Sequence, residues 1–164
     1  MRKPHTIIYG LDAEFAAWAA ARLPHVGADL GFGNCRAVGV ATGTQPTDKL
    51  LAVVVYHEWQ PKAATIQISC YSTTPMWAQK CVLEELLEIP FERMGVNKVW
   101  LSIPHTNERA IRFNVNALKM KREGPLRHQY GPGLHAVIVG MTRNEWIAKW
   151  KGVSDVKAQR AHAA

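Results

Sequence analysis

Apolar side chains recur at helical spacing near the start of the chain and in strand-like runs after it. A short apolar strand is predicted at residues 6–9, and residues 11–23 have the spacing of an amphipathic helix that Pro24 ends. Residues 24–34 are Gly-rich and are predicted to form a loop. Three apolar segments typical of strands follow: residues 36–43, 49–59 and 64–72. Their short, turn-rich connections predict antiparallel neighbours in one sheet.

A second helical pattern follows these strands and contains a proline. Its apolar face is predicted from four large side chains: Leu83, Leu86, Leu87 and Phe91. Pro90 lies inside the pattern, so we expect a kink or an early stop there, because proline cannot donate a helix hydrogen bond. Gly95 is a natural residue just beyond the end of this helix.

The remaining pattern predicts a buried strand, a helix, a last strand and a short helix. Residues 99–103, VWLSI, are apolar apart from one serine, as in a strand buried on both faces. Thr106 is predicted to N-cap the next helix, which leads into a basic turn at residues 119–124, KMKREG. Residues 134–141 are the last predicted strand, and a short helix carrying Trp146 follows it.

The predicted order of these main elements, β-α-β-β-β-α-β-α-β, indicates an α+β fold with one sheet covered by helices on both sides. With 164 residues, the chain is long enough for one domain without a disulfide or metal, and we assign that domain to residues 1–150. Residues 151–164 lack apolar periodicity, so a frayed or disordered tail is predicted there.

Charge and cysteine content narrow the chemistry. The formal net charge of +7 favours an anionic partner, such as nucleic acid or a phosphate-rich cofactor, although solubility alone also explains a modest basic excess. Cys35, Cys70 and Cys81 lack zinc-ligand spacing, so no metal is predicted and a reducing cytoplasm is favoured. No apolar run approaches the roughly 20 residues that span a bilayer, so a soluble, cytoplasmic protein without a membrane partner is predicted.

The order of motifs from residue 99 to residue 146 resembles the C-terminal half of the GNAT superfamily of N-acetyltransferases. The segments that carry the likeness are VWLSI, PHTNERAIRF, the Glu-Gly turn at Glu123 and Gly124, and HAVIVGMTRNEW. The likeness is greatest to Rim-type ribosomal-protein acetyltransferases and to acetyltransferase-like proteins of tailed phages, and in outline it covers residues 7–150. It implies a mixed, twisted, mostly antiparallel sheet flanked by helices, with a splayed parallel strand pair. It also implies acetyl-CoA as co-substrate, and the host cytoplasm as the location if the protein is phage-encoded.

The resemblance assigns cofactor contacts to three parts of the chain. The first is the strand before the Leu-rich helix, through Ser69, Cys70 and Tyr71. The second is the turn TTPMWAQK, where backbone amides at a helix N-terminus would hold a pyrophosphate and an ammonium would add counter-charge: Trp77, Ala78, Gln79 and Lys80. The third is the helix after VWLSI, which would offer Asn107 to the pantetheine arm and two arginines to the 3′-phosphate: Arg109 and Arg112. Some of these residues also have a structural alternative: core packing for Trp77, helix capping for Asn107 and a solvated helix face for the arginines.

The family's usual general acid, a tyrosine, is replaced here by Asn114, which has no titratable proton. Tyr71 and Tyr130 are therefore the candidate acids. The candidate bases are His57 and Glu58, neighbours on one strand whose side chains face opposite ways, so that both cannot reach one cleft. Packing of His57 and solvation of Glu58 are the structural alternatives.

The sequence leaves three functional hypotheses open. The first is an N-acetyltransferase acting on a protein N-terminus, a lysine or a small amine, as a monomer or a homodimer. The second is a non-catalytic protein on the same fold, with residues 119–128, KMKREGPLRH, contacting nucleic-acid phosphates. The third is a phage protein that modifies nucleic-acid bases. Acetyl-CoA affinity would distinguish the first from the others.

Overall fold

A computed structural model describes residues 5–43 and 49–152 of the chain. The strands are β1 (Thr6–Ile8), β2 (Cys35–Ala41), β3 (Leu50–Gln60), β4 (Thr65–Ser72), β5 (Lys98–Pro104), β6 (Lys121–Leu126) and β7 (Ala136–Thr142). The α-helices are α1 (Asp12–Ala20), α2 (Lys80–Glu88), α3 (Glu108–Arg112) and α4 (Arg143–Trp150). Nearly all of the predicted tail lies outside the described residues. Within the described ranges, no helix is both long and apolar enough to cross a membrane.

The described strands form one seven-stranded sheet in the order β1-β2-β3-β4-β5-β7-β6. All neighbours are antiparallel except β4 and β5, which α2 connects and which run parallel. Their pairing begins at Thr65 with Lys98 and ends at Gln67 with Trp100, although both strands continue for several residues. The α+β class and the predicted splayed parallel pair are therefore confirmed.

The two faces of the sheet are covered by different helices. On β3, successive side chains point to opposite faces. Val54 and Tyr56 belong to the larger core beneath α2, α3 and α4, whereas Val53 and Val55 belong to a smaller core beneath α1. We call these the α2 face and the α1 face of the sheet. Burial of each large apolar side chain in these cores contributes about 1.5–3 kcal/mol.

The helix predicted at residues 11–23 is shorter in the structure. Helix α1 ends at Ala20, and the Leu23 amide closes the following turn on the carbonyl of Ala19. Leu11, predicted to begin the apolar face, is 43% exposed, because α1 rests on the sheet through Phe15, Ala19 and Ala20 instead. Small alanines let the helix lie close to the strands, so the predicted spacing is right for Phe15 and Trp18, which join the α1-face core, and wrong for Leu11.

Pro90 interrupts the Leu-rich helix as predicted. Helix α2 ends at Glu88, and a wide π-type turn, Ile89–Arg93, continues the chain to Gly95, which has a φ of +71°. A residue without an N–H is accommodated there because the turn does not need that donor.

Two other predictions were wrong in detail. The segment predicted as a basic turn forms the edge strand β6, paired with β7. The residue that caps α3 is Asn107, whose Oδ1 accepts a hydrogen bond from the Ala110 amide at 3.2 Å, and not Thr106. Both errors concern polar segments, in which the spacing of apolar residues gives no indication of secondary structure.

Candidate functional site

A cavity of about 750 Å³ lies where β4 and β5 part. Its lining includes Leu86 and Phe113 from the α2 face of the sheet and Tyr71 and Tyr130 from the opposite side. Because no β4–β5 pairs form beyond Gln67, the cavity passes between the two strands. It thus joins the two faces of the sheet and can bring together two molecules that approach from opposite sides.

The α2-face half of the cavity is mainly apolar. Cys70 lines it, and burial raises the pKa of this thiol to about 12, so it stays protonated and acts as an apolar wall rather than a nucleophile. Asn114 also lines this half and is 5% exposed. Its Nδ2 donates to the Ala110 carbonyl at 2.8 Å, whereas its buried Oδ1 has no partner among the described residues.

The turn before α2 uses some of the amides expected to bind phosphate. The Trp77 amide donates to the Thr74 carbonyl at 3.5 Å and the Gln79 amide to the Trp77 carbonyl at 2.9 Å, so these two are engaged within the turn. The Gln79 side chain is engaged as well, since its Oε1 accepts from the His5 amide at 3.0 Å. Two of the four amides expected in the cradle, those of Ala78 and Lys80, are outside these hydrogen bonds.

The first turn of α2 adds further donors. Its first intrahelical bond runs from the Leu83 amide to the Gln79 carbonyl, so the amides of Lys80, Cys81 and Val82 have no acceptor within the helix. The Lys80 side chain is 84% exposed and lies 3.8 Å from Glu84. It does not line the cavity and extends from this first turn outside it.

Trp77 and Asn107 each combine a structural role with a place in the cavity wall. Trp77 is 7% exposed and packs against Phe113 with ring centroids 5.9 Å apart, so most of its ring belongs to the core. Asn107 caps α3 and also lines the cavity. Of the two predicted arginines, Arg109 lines the cavity and Arg112 does not.

The α1-face half of the cavity is richer in polar groups. The hydroxyls of Tyr130 and Ser102 lie 2.5 Å apart. Burial raises the pKa of the Tyr130 phenol, and the hydrogen bond to Ser102 offsets this only partly, so Tyr130 is protonated at neutral pH. The His25 ring lies 4.9 Å from the Tyr130 ring, and desolvation lowers the pKa of its imidazole. Tyr71 meets the edge of Trp18 with centroids 5.6 Å apart.

His57 lies behind the cavity wall rather than in it. It is 8% exposed, and its Nε2 lies 2.8 Å from Oγ of Ser69, which does line the cavity. Burial lowers the pKa of His57 to about 4, with a smaller contribution from His25, so the imidazole is neutral at physiological pH. The ring of Phe32 covers it, with centroids 4.9 Å apart.

Glu58, the other candidate base, lies away from the cavity. It is exposed, with a φ of +54°, in the irregular stretch where the β3–β4 register shifts between His57 and Gln60. A β-bulge re-aims the side chains around it, so simple strand alternation no longer predicts where Glu58 points.

Sequence reasoning missed several polar residues of the cavity, among them Arg22, His25 and Ser102. Ser102 had a usable signal, as the one polar residue in an otherwise apolar strand. Arg22 and His25 had none, because they follow the end of α1, whose position relative to β4 depends on tertiary packing. Within the described part of the chain, no group of three or more His, Cys, Asp or Glu side chains is arranged to hold a metal ion.

Comparisons with known proteins identify the fold. The sequence matches no protein-family model and no curated protein. The structure, however, resembles a putative acetyltransferase at a TM-score of 0.60 and 22% identity, covering 71% of this chain and 61% of that one. It also resembles a putative acetyltransferase from T. thermophilus at a TM-score of 0.58 and 21% identity, covering 77% and 67% of the two chains.

A third neighbour covers more of the chain. The spermidine/spermine N-acetyltransferase of Vibrio cholerae superposes at a TM-score of 0.63 and 12% identity, over 89% of this chain and 95% of that one. The described residues therefore have the GNAT fold, as the sequence motifs implied. At these identities the likeness concerns the fold, and the chemistry has to be argued from the cavity.

Proposed function

We propose that this protein is an acetyl-CoA-dependent N-acetyltransferase, with the cofactor in the α2-face half of the cavity and the acceptor amine in the α1-face half. The observation that carries the proposal is the cavity between the splayed ends of β4 and β5, which connects the two faces. An acyl donor and an amine that enter from opposite faces would meet beside Ser69 and Tyr71. The acceptor is a protein N-terminus, a lysine or a small amine.

The residues of the α2-face half fit acetyl-CoA. Beyond Gln67, the edge of β4 that faces β5 has no strand partner, so its backbone groups are available to the amides of a pantetheine arm. The first turn of α2 offers amides to a pyrophosphate, and Arg109 offers a guanidinium at the cavity wall. The unpartnered Oδ1 of Asn114 is a further acceptor on this side. When bound, acetyl-CoA supplies an acetyl thioester as the electrophile.

Ser69 and His57 provide a route for the proton that the acceptor amine must lose. Ser69 Oγ faces the cavity and can accept a proton from the amine, while its own proton passes to the neutral Nε2 of His57. Because its pKa is about 4, His57 would hold that proton only transiently and pass it to solvent, so the pair would act as a relay rather than a proton store. Ser69 is the catalytic contact in this scheme, and His57 positions it.

Tyr130 is the favoured general acid. Its phenol is protonated at neutral pH, faces the cavity and is held by Ser102, so it can deliver a proton to a leaving group. Tyr71 is the second candidate and also lines the cavity. Asn114 lies in the other half of the cavity and carries no titratable proton.

Nucleic-acid binding is the second candidate function. The basic segment that suggested it includes β6, where Lys121 lies 2.6 Å from Glu145 and Glu123 lies 2.7 Å from Lys98. The first pair neutralises a cation of β6, and Glu123 adds a negative charge to the same strand, so β6 offers little net positive charge to phosphates. A DNA titration at two salt concentrations tests this alternative.

The test of the proposed function is calorimetric titration with acetyl-CoA, followed by turnover measurements on a panel of amines and peptides. We expect Tyr130→Phe to lower turnover about 10²–10⁴-fold, the usual contribution of a positioned acid, and Asn114→Ala to lower it far less. Ser69→Ala should also lower turnover, whereas Ser72→Ala serves as the matched control. Ser72 is on the same strand and lines the same cavity but is not the serine that His57 contacts.

Failure of the wild-type protein to bind acetyl-CoA would overturn the proposal. If both Tyr130→Phe and Tyr71→Phe kept full turnover, the assignment of the acid would be wrong while the function stood. Equal losses of turnover for Ser69→Ala and Ser72→Ala would contradict the Ser69–His57 relay and would leave the proposed function standing.

A further inference from the structure

We infer that the acceptor is a small amine that also carries an oxyanion, a carboxylate or a phosphate, which Arg22 binds at the α1-face mouth of the cavity. This inference rests on the proposed function, because it identifies the class of acceptor that the same cavity would take. It excludes polyamines as the preferred substrates.

Arg22 is held in place by Trp18. Its Nη1 donates to the Trp18 carbonyl at 3.0 Å, and its guanidinium carbon lies 4.0 Å from the centroid of the Trp18 ring. Trp18 in turn packs edge-on against Tyr71, which lines the cavity together with Arg22. The guanidinium is thus pre-ordered beside the cavity, and most of its five N–H donors remain outside the bond to Trp18. A planar group of this kind suits bidentate binding of a carboxylate or phosphate.

The charged residues around the cavity also favour an acceptor that carries an oxyanion. The cavity lining contains two cations, Arg22 in the α1-face half and Arg109 in the cofactor half, and no aspartate or glutamate among the described residues. The nearest acidic residues along the chain on the α1 side, Glu14 and Asp29, are exposed and do not line it. A polycation that entered this half would meet positive charge without a counter-charge, whereas an oxyanion would find Arg22 already ordered.

The spacing of the lining residues limits the size of the acceptor. Ser69 and Tyr71 are two residues apart on β4 and on the same face, so their Cα atoms lie about 7 Å apart. An amine beside Ser69 and an oxyanion reaching Arg22 beyond Tyr71 would therefore be separated by a short linker. Amino acids in which several carbons separate the amine from the carboxylate, and phosphorylated amino alcohols, meet this requirement.

The experiment uses pairs of amines that differ only in the oxyanion. Ethanolamine is compared with O-phosphoethanolamine, and propylamine with 4-aminobutyrate, with spermidine as the polycation. We expect kcat/KM to be at least tenfold higher for the anionic member of a pair, since hydrogen bonds to charged groups contribute enough for about one to two orders of magnitude. Arg22→Ala should remove this preference. Arg36→Ala is the matched control, because Arg36 is also exposed but does not line the cavity.

Binding of the same amines is measured by calorimetry on protein saturated with coenzyme A, and again without it, so that the charge preference is read independently of turnover. A preference for the phosphate pair alone would identify phosphate as the anion, and a preference in both pairs would admit carboxylates as well. The inference would be overturned if spermidine were acetylated or bound as well as the anionic amines. It would also be overturned if the preference for anionic amines survived in Arg22→Ala. Absence of acetyl-CoA binding would instead overturn the proposed function, and the titrations without cofactor would still test Arg22.

Discussion

At the scale of single residues, the most consequential group is His57, a neutral imidazole buried behind Ser69. Ring burial under Phe32 and the 2.8 Å contact with Ser69 fix its position. Because the folded protein lowers the pKa of this group to about 4, from an ordinary value near 6.5, folding opposes its protonation. The burial that keeps the His57 imidazole neutral, with a lone pair free for the Ser69 hydroxyl, therefore also makes it a source of acid sensitivity.

We predict that His57 makes the protein less stable as the pH falls from 6.5 toward 4. In this window the unfolded chain binds a proton at His57 and the folded chain does not, so stability rises with pH. Integrated from pH 7 to 4.5, this loss is about 2 kcal/mol. Urea unfolding of the wild type and His57→Gln across this range measures it.

The glutamine variant keeps a hydrogen-bonding side chain for Ser69 and lacks the titration. The free energy of unfolding of wild type should therefore fall relative to His57→Gln as the pH decreases. Parallel pH profiles for the two proteins would contradict the assignment of acid sensitivity to this imidazole.

At the scale of elements, the approach of α1 to the sheet depends on a glycine in β2. A Cβ added to Gly39 would lie 2.6 Å from Cζ of Phe15 and 2.9 Å from Cδ1 of Leu50. Phe15 is itself 7% exposed in the α1-face core, so it has little room to move. Since α1 leads into the loop that carries Arg22 and His25, this contact also helps to position one mouth of the cavity.

We predict that Gly39→Ala destabilises the fold by about 1–3 kcal/mol, the usual cost of overpacking a core. Gly140→Ala is the control. There the nearest atoms belong to the ends of the Glu123 and Lys98 side chains, at 2.7 Å and 3.1 Å, which can shift aside.

Thermal unfolding compares the two variants. For a chain of this size, 1 kcal/mol corresponds to about 2–4 °C in Tm, so Gly39→Ala should melt clearly below Gly140→Ala. Equal melting temperatures would show that α1 does not need the glycine for its close approach.

At the scale of the whole molecule, the site results from a break in an otherwise continuous sheet. Strands β4 and β5 pair over three residues and then part, and α2, α3 and the loop after α1 supply walls of the space between them. A ligand that fills this space would connect both halves of the sheet. Binding would therefore stabilise the folded chain as a unit.

We predict that acetyl-CoA at 100 times its Kd stabilises the protein by about 2.7 kcal/mol, which is about 5–10 °C in Tm. Lys80→Ala should weaken binding about tenfold, because its ammonium extends from the first turn of α2, where the phosphates would lie. Arg127→Ala is the control cation, since Arg127 is exposed and outside the cavity lining. Calorimetric Kd values of acetyl-CoA for the wild type, Lys80→Ala and Arg127→Ala test this prediction. Equal affinity of wild type and Lys80→Ala would show that Lys80 does not contact the cofactor.

The sequence determined the elements whose signal is local. The apolar period of the Leu-rich helix, its interruption at Pro90, the buried strand VWLSI and the antiparallel β2–β3–β4 order all follow from side-chain size and spacing along the chain. The helical crossover between β4 and β5 also determined that this pair is parallel, since a helix has to return the chain to the same end of the sheet. Polar segments were less predictable, and the edge strand β6 was missed for that reason.

The site itself was decided by tertiary structure. Ser69 was a candidate from the sequence, but its contact with His57 depends on the β3–β4 register, and the bulge that turns Glu58 away lies in the same strand pair. Arg22 lines the cavity only because α1 packs on β2 and β3 and brings its C-terminal end beside Tyr71 on β4. Residue types fix what chemistry is available to this chain. Which groups share one cavity is set by register and packing between segments far apart in sequence, and no local pattern encodes those distances.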